Sequence, residues 1–197
     1  MPLVTYQTDR FSVGVLEGAS FHFFQQDDLS LNIRAVPRYT TLDGPDSDEL
    51  KGIDRKATLD VGIGLDYTFG SAYLSAKAVA EVTGEHDGFE LDIKIWRTSD
   101  FGDLSIVYGL GASWQSEDLS DYRFGVRTTE VLDGRPAYSA DATVIPYAEF
   151  LAEYPISDSW KVLAGGQLTI LTGDVKQSPI VDSKESFGIF GGLMREF

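Results

Sequence analysis

Three stretches of the sequence carry residue types that could do chemistry. In "GEHDG" (84–88), His86 stands between Glu85 and Asp87. A histidine beside a carboxylate can take a proton from water during hydrolysis. The three side chains together could also hold a divalent ion. Neighbours in sequence seldom converge on one atom, so the plain reading is a solvated loop turning at Asp87-Gly88. "DGPDSDEL" (43–50) is rich in carboxylates. It lacks the ligand spacing and closing glutamate of a calcium loop, and an exposed acidic loop is expected. "GIGLDYTFG" (62–70) has spaced glycines, but no helix follows, so it is not a nucleotide fingerprint. His22, in "SFHFFQQ", falls in an alternating stretch and is expected to act as a hydrogen-bonding strand residue. These readings lead to no catalytic, cofactor or metal site, and the chain is not read as an enzyme.

A larger set of charges is more telling. Arg34, Arg38, Asp60, Asp66, Lys77, Glu81, Glu90, Asp92, Lys94, Glu149, Glu153 and Lys161 fall at alternate positions of apolar-polar stretches. In "ATLDVGIGLDYTF" (57–69), every odd position is apolar and every even one is polar or glycine. A period of two is a strand with one apolar and one polar face. The same alternation runs through 29–39, 71–83, 88–96, 103–115 and the C-terminal third, with no convincing helix. Segment 2–26 is less regular and reads as two or three strands, broken near Glu17-Gly18. About ten to twelve strands result.

A soluble calycin-like barrel would alternate in the same way, with its charges outside. Three features favour a membrane barrel instead. Several strands alternate over 11 to 13 residues, whereas roughly 9 to 11 suffice to cross a bilayer with tilt. Short turns at 69–71, 99–103 and 156–159 alternate with long connections near 40–55, 116–141 and 173–185. That is the asymmetry of an outer-membrane barrel, whose long loops are extracellular. Tyr67, Phe69, Tyr154, Trp160 and Phe197 cluster toward the short-turn end, with Trp114 and Phe187 toward the other, as interfacial girdles require. The twelve charges then line a lumen, where pairing and water offset a burial cost of several kcal/mol each. The expected fold is all-β: a single antiparallel up-and-down transmembrane β-barrel over 1–197.

Composition narrows the partners. The chain has 16 Lys+Arg against 31 Asp+Glu, a net charge of −15. No basic face is present for phosphate, so nucleic acid is not expected as a partner. With no cysteine, disulfides and thiolate chemistry are excluded. The sequence "MPLVTYQTDR" has none of the features of a signal peptide.

The order of motifs resembles the MltA-interacting protein/OmpV family of Gram-negative outer-membrane proteins. The resemblance lies in "DSDELKGIDRKATLDVGIGLDYTFG" (46–70), "GEHDGFELDI" (84–93), "YRFGV" (122–126), "TGDVKQSPIV" (172–181) and a terminal strand ending on Phe197. It implies an outer-membrane location, contact with lipid and lipopolysaccharide, and an insertion signal at Phe197 read by the barrel-insertion machinery. It also implies a scaffold joining a lytic transglycosylase to a bifunctional murein polymerase. A small pore is the alternative, and a barrel-embedded hydrolase a more distant one. Two departures stand out. The signal peptide and early Gly-rich strand of the family are missing before "PLVTYQT", so a truncated or alternatively started chain is expected. Arg195 takes an outward position where an apolar residue is usual, and is expected to snorkel.

Overall fold

A computed structural model describes residues 5–14, 18–39 and 50–195. The expected insertion signal at Phe197 and nearly all of the acidic loop at 43–50 lie outside these residues. Eleven strands are described: β1 (Thr5–Gln7), β2 (Phe11–Gly14), β3 (Gly18–Gln26), β4 (Leu29–Arg38), β5 (Thr58–Phe69), β6 (Ala72–Glu81), β7 (Phe89–Phe101), β8 (Leu104–Gln115), β9 (Thr143–Ser157), β10 (Trp160–Ile170) and β11 (Glu185–Arg195). Each pairs antiparallel with the next, in chain order, to form one sheet. This is the up-and-down order of the expected barrel. The irregular segment 2–26 holds three strands, and the β3–β4 hairpin turns on Asp27, whose φ is +49°.

The face that points outward settles the question left by the alternation. On β5, Leu59, Ile63, Tyr67 and Phe69 are exposed, Ile63 at 63%, Val61 and Leu65 are half-buried, and Asp60 is completely buried. Leu110 on β8 and Ile189 on β11 repeat the pattern at 65% and 74% exposed, and Asn32 on β4 is as buried as Asp60. A sheet that is polar inside and apolar outside cannot be stable in water at this extent of exposed hydrocarbon. In lipid the same face is the favourable one. A calycin-like fold is therefore excluded.

Register holds the polar faces together. Asp60 stands opposite Val36 on β4 and Glu81 on β6, and Glu90 on β7 stands opposite Val79 on β6 and Gln115 on β8. Five short turns (8–10, 27–28, 70–71, 102–103 and 158–159) lie at one end of the strands. Gly70 and Gly102, at φ of +64° and +65°, make two of them in a conformation that side chains disfavour. At the same end Trp160 lies beneath the Arg195 guanidinium, 5.6 Å from its ring. Arg195 thus rests on an interfacial aromatic ring.

The long-loop end departs from expectation. The connection 116–141, expected as a polar linker, contains a helix, α1 (Glu117–Phe124), and a 3₁₀ turn at Thr128–Glu130. Ser116 caps α1 by accepting from the Leu119 N–H at 3.4 Å, and the same hydroxyl accepts from the Phe89 N–H at 3.0 Å. Acidic Glu117 and Asp118 fill the first turn and Arg123 the last, each suited to the helix dipole.

Candidate functional site: a polar lumen beneath a packed lid

Three clusters of ion pairs occupy the inner face of the sheet. In the first, Arg34 pairs with Asp66 at 2.7 Å, and Asp66 also accepts from Asn32 Nδ2 and Ser75 Oγ, both at 2.7 Å. Gly64 makes room for it, because a Cβ there would collide with the Arg34 guanidinium and the Asn32 amide. In the second, Arg38 bridges β5 and β7 by pairing with both Asp60 and Glu90, the latter at 3.2 Å. Lys77 reaches the other oxygen of Glu90 at 3.1 Å. In the third, Lys94 pairs with Glu149 at 2.8 Å. Beside it the Tyr147 hydroxyl, lying across Gly111, donates to Asp92 at 2.9 Å. Toward the short turns, Lys161 stands 3.9 Å from Glu153. Each buried carboxylate in these clusters has a partner, as burial of charge requires.

Glu81 belongs to a different structure. It ends β6 and turns its carboxylate to the loop that follows. There it accepts from the backbone N–H groups of Thr83, Gly84, Glu85, His86 and Asp87. This folds residues 82–88 back toward α1. His86 is half-buried with its ring 4.6 Å from that of Tyr122, so the expected solvated loop tip is instead packed. Its Nδ1 accepts from the Gly88 N–H at 3.0 Å, which leaves the proton on Nε2. Glu85 is drawn away to Lys56 at 2.8 Å. The trio His86, Glu85 and Asp87 therefore does not converge. Among the described residues, no group of three His, Cys, Asp or Glu side chains could hold a metal ion. His22 lies in the sheet, hydrogen-bonded to Ser30 Oγ at 2.7 Å.

The long connections build a lid with its own small core. Ile53, Leu119, Tyr122, Val126, Ala140 and Val175 are buried there. At its centre Arg55, 2% exposed, pairs with Glu130 at 2.5 Å and donates to the carbonyls of Tyr122 and Gly125 at 2.5 and 3.0 Å. Burial works against charge on Glu130, yet Arg55 and the Arg127 N–H outweigh it and hold its carboxyl below the usual range. Arg135 ties the lid to the chain before β5 by donating to the Lys51 and Glu130 carbonyls. Ser178 donates to the Phe124 carbonyl and Tyr138 to the Asp174 carbonyl, joining the β10–β11 connection to the rest. Sequence reasoning missed this lid. The one local signal was the Ser116 cap with its acidic first turn.

Between lid and sheet lies a chamber of about 440 Å³. Its walls carry the Arg34, Lys77 and Lys94 pairs, together with Trp96, Ser113, Gln115 and Tyr147. Arg123, reaching down from α1, completes it.

Comparison with known proteins bears on the whole chain. The family model described as "MltA-interacting protein MipA" matches residues 1–197. The chain is 31% identical over 171 residues to outer membrane protein Omp26La of Vibrio anguillarum, and 30% identical over 171 residues to outer membrane protein OmpV of Vibrio cholerae. In both cases the match covers 85% of this chain and 66% of the relative, slightly under two thirds of its length. The chain is also 25% identical over 200 residues to the MltA-interacting protein of Escherichia coli K12, covering 100% of this chain and 81% of that one. These names describe outer-membrane proteins and an interacting protein, not enzymes. No solved structure matches the chain.

Proposed function

The chain belongs to the MltA-interacting protein MipA family of outer-membrane proteins, and on that premise we propose that it is a non-conducting barrel that scaffolds murein enzymes. The observation that carries the reading is the packed lid over one end of the barrel, above a wall laced by ion pairs. Three ion-pair clusters tie neighbouring strands together along the inner face, and a lid centred on the Arg55–Glu130 pair sits over the long-loop end. Such a barrel is built to hold its shape in the membrane rather than to pass solutes.

On this reading the long loops face outward and the short turns face the periplasm. A lytic transglycosylase of the MltA type is the partner suggested by the relative's name, and the family resemblance adds a bifunctional murein polymerase. The short-turn end carries Asp9, Asp27, Asp28, Asp103 and Asp158, with Arg10 the one basic residue in these turns. A partner with a basic surface would complement this rim and bind more weakly as salt rises.

The test has two arms. A tagged chain is cross-linked in envelopes and purified in detergent, and the refolded chain is applied to planar bilayers. Enrichment of a lytic transglycosylase with silent bilayers is expected. Steady conductance without any murein enzyme would replace the scaffold with a small pore.

A further inference from the structure

Arg34, Lys77 and Lys94 of the chamber each sit within 3.1 Å of a carboxylate. Arg123 does not: among the described residues no carboxylate lies within ion-pair distance of it, and its guanidinium rests 5.0 Å from the Phe124 ring. Enclosure by protein, with Arg38 nearby and only Glu90 opposing, holds its pKa down to about 10. It therefore stays charged at neutral pH, without a counter-ion.

A second observation comes from the wall beneath it. Gln115 is 2% exposed, and its Nε2 donates to Glu90 at 3.5 Å. The Glu90 carboxylate fixes the orientation of that amide, because a flip would set oxygen against oxygen. Gln115 Oε1 is then a buried acceptor without a donor. Ser113 Oγ, on the same strand and also buried, faces the Glu90 carboxylate with its hydroxyl and makes no hydrogen bond of ordinary geometry, so its lone pairs take no donor. Both line the chamber. Buried polar atoms without partners cost free energy unless something fills the site.

We propose that the chamber binds a small carboxylate that also carries hydroxyl or amino donors. Arg123 takes the carboxylate through two parallel N–H donors. Gln115 Oε1 and Ser113 Oγ, which carry almost no exposed surface, take the donors of the ligand after a small shift of their side chains toward the chamber. The volume suits a solute of sugar-acid or amino-acid size. This site is independent of the scaffold reading, since it uses neither the short-turn rim nor a protein partner.

The test uses the full chain refolded in detergent, with Trp96, which lines the chamber, as reporter. Trp114→Phe and Trp160→Phe remove the other two tryptophans. Gluconate carries both a carboxylate and hydroxyls, sorbitol hydroxyls only, and butyrate a carboxylate only. Gluconate is expected to change Trp96 emission with an affinity at least about tenfold above either control, the margin one charge-assisted pair supplies. Arg123→Gln should remove that margin, Arg123→Lys should keep part of it, and Gln115→Leu should reduce it. Unboiled gel mobility checks that each variant is folded. Equal binding of gluconate and sorbitol, an unchanged affinity in folded Arg123→Gln, or no response by fluorescence or calorimetry at about 10 mM would overturn the proposal.

Discussion

Arg55 and Glu130 are separated by 75 residues of sequence and form a buried ion pair at 2.5 Å in the centre of the lid. Neither belongs to a strand. The pair joins the approach to β5 to the turn that follows α1, and with its backbone partners it gives the loops a fixed arrangement. The barrel holds the lid from below through Ser116 and the folded-back loop 82–88.

Glu130→Gln should therefore loosen the lid without unfolding the barrel. It leaves Arg55 buried beside a neutral amide, a loss on the order of 3 kcal/mol for a pair this enclosed. Hydrogen exchange should speed up across 116–141 and stay slow in β5 to β10. Equal acceleration in the strands would mean that lid and barrel form one cooperative unit.

The lid should also loosen in acid, for two reasons of the same sign. Glu130 has a lowered pKa when docked, so its contribution is present above the ordinary carboxylate pKa and lost as pH falls through the lowered one. His86 is pushed down from 6.5 by burial, with Arg38 adding to the shift and Glu81, Asp60 and Asp87 opposing it. A docked His86 resists the proton that a free one would accept, so stability declines as pH falls below about 6.5. The chain has no cysteine, so a spin label on Val131→Cys reports the lid alone. Its spectrum should show greater mobility at pH 5 than at pH 7.5, and His86→Gln should remove the part of that change nearest 6.5. A spectrum constant down to pH 5 would contradict the assignment.

In the lumen, Asp60 is completely buried and shares Arg38 with Glu90. Asp60→Asn keeps the shape but removes one of the two charges that hold Arg38. A cost of about 1 to 3 kcal/mol is expected in urea unfolding from lipid vesicles, set by a charged hydrogen bond in a hydrated site. Asp66→Asn should behave in the same way, because Asp66 accepts from Arg34, Asn32 and Ser75. A loss below about 0.5 kcal/mol for both would mean that water replaces these pairs freely.

What was legible in the sequence follows from how far each interaction reaches. The strands from β4 onward show themselves because every second residue answers to the same surroundings, and "ATLDVGIGLDYTF" carries that signal through β5. The lid has no such repeat. In "EDLSDYRF" the apolar residues do not form a helical stripe, and only Ser116 and the acidic first turn announce α1. His86 read as exposed because its packing partner, Tyr122, lies 36 positions away. Glu81 looked like a lumen charge by parity, but at the strand end its carboxylate can turn to five N–H groups of the next loop. The chamber could not be read at all, since its walls come from strands and lid together.

The central claim is that the sheet turns its apolar face to lipid and its charges inward. A scan of single cysteines through residues 59 to 67, spin-labelled in lipid vesicles, tests it directly. Collision with oxygen, which is enriched in lipid, should peak at Leu59, Val61, Ile63, Leu65 and Tyr67. It should fall at Asp60, Gly62, Gly64 and Asp66 in those variants that fold. The opposite phase, with the odd positions shielded and the even ones open to a water-soluble relaxant, would contradict the account.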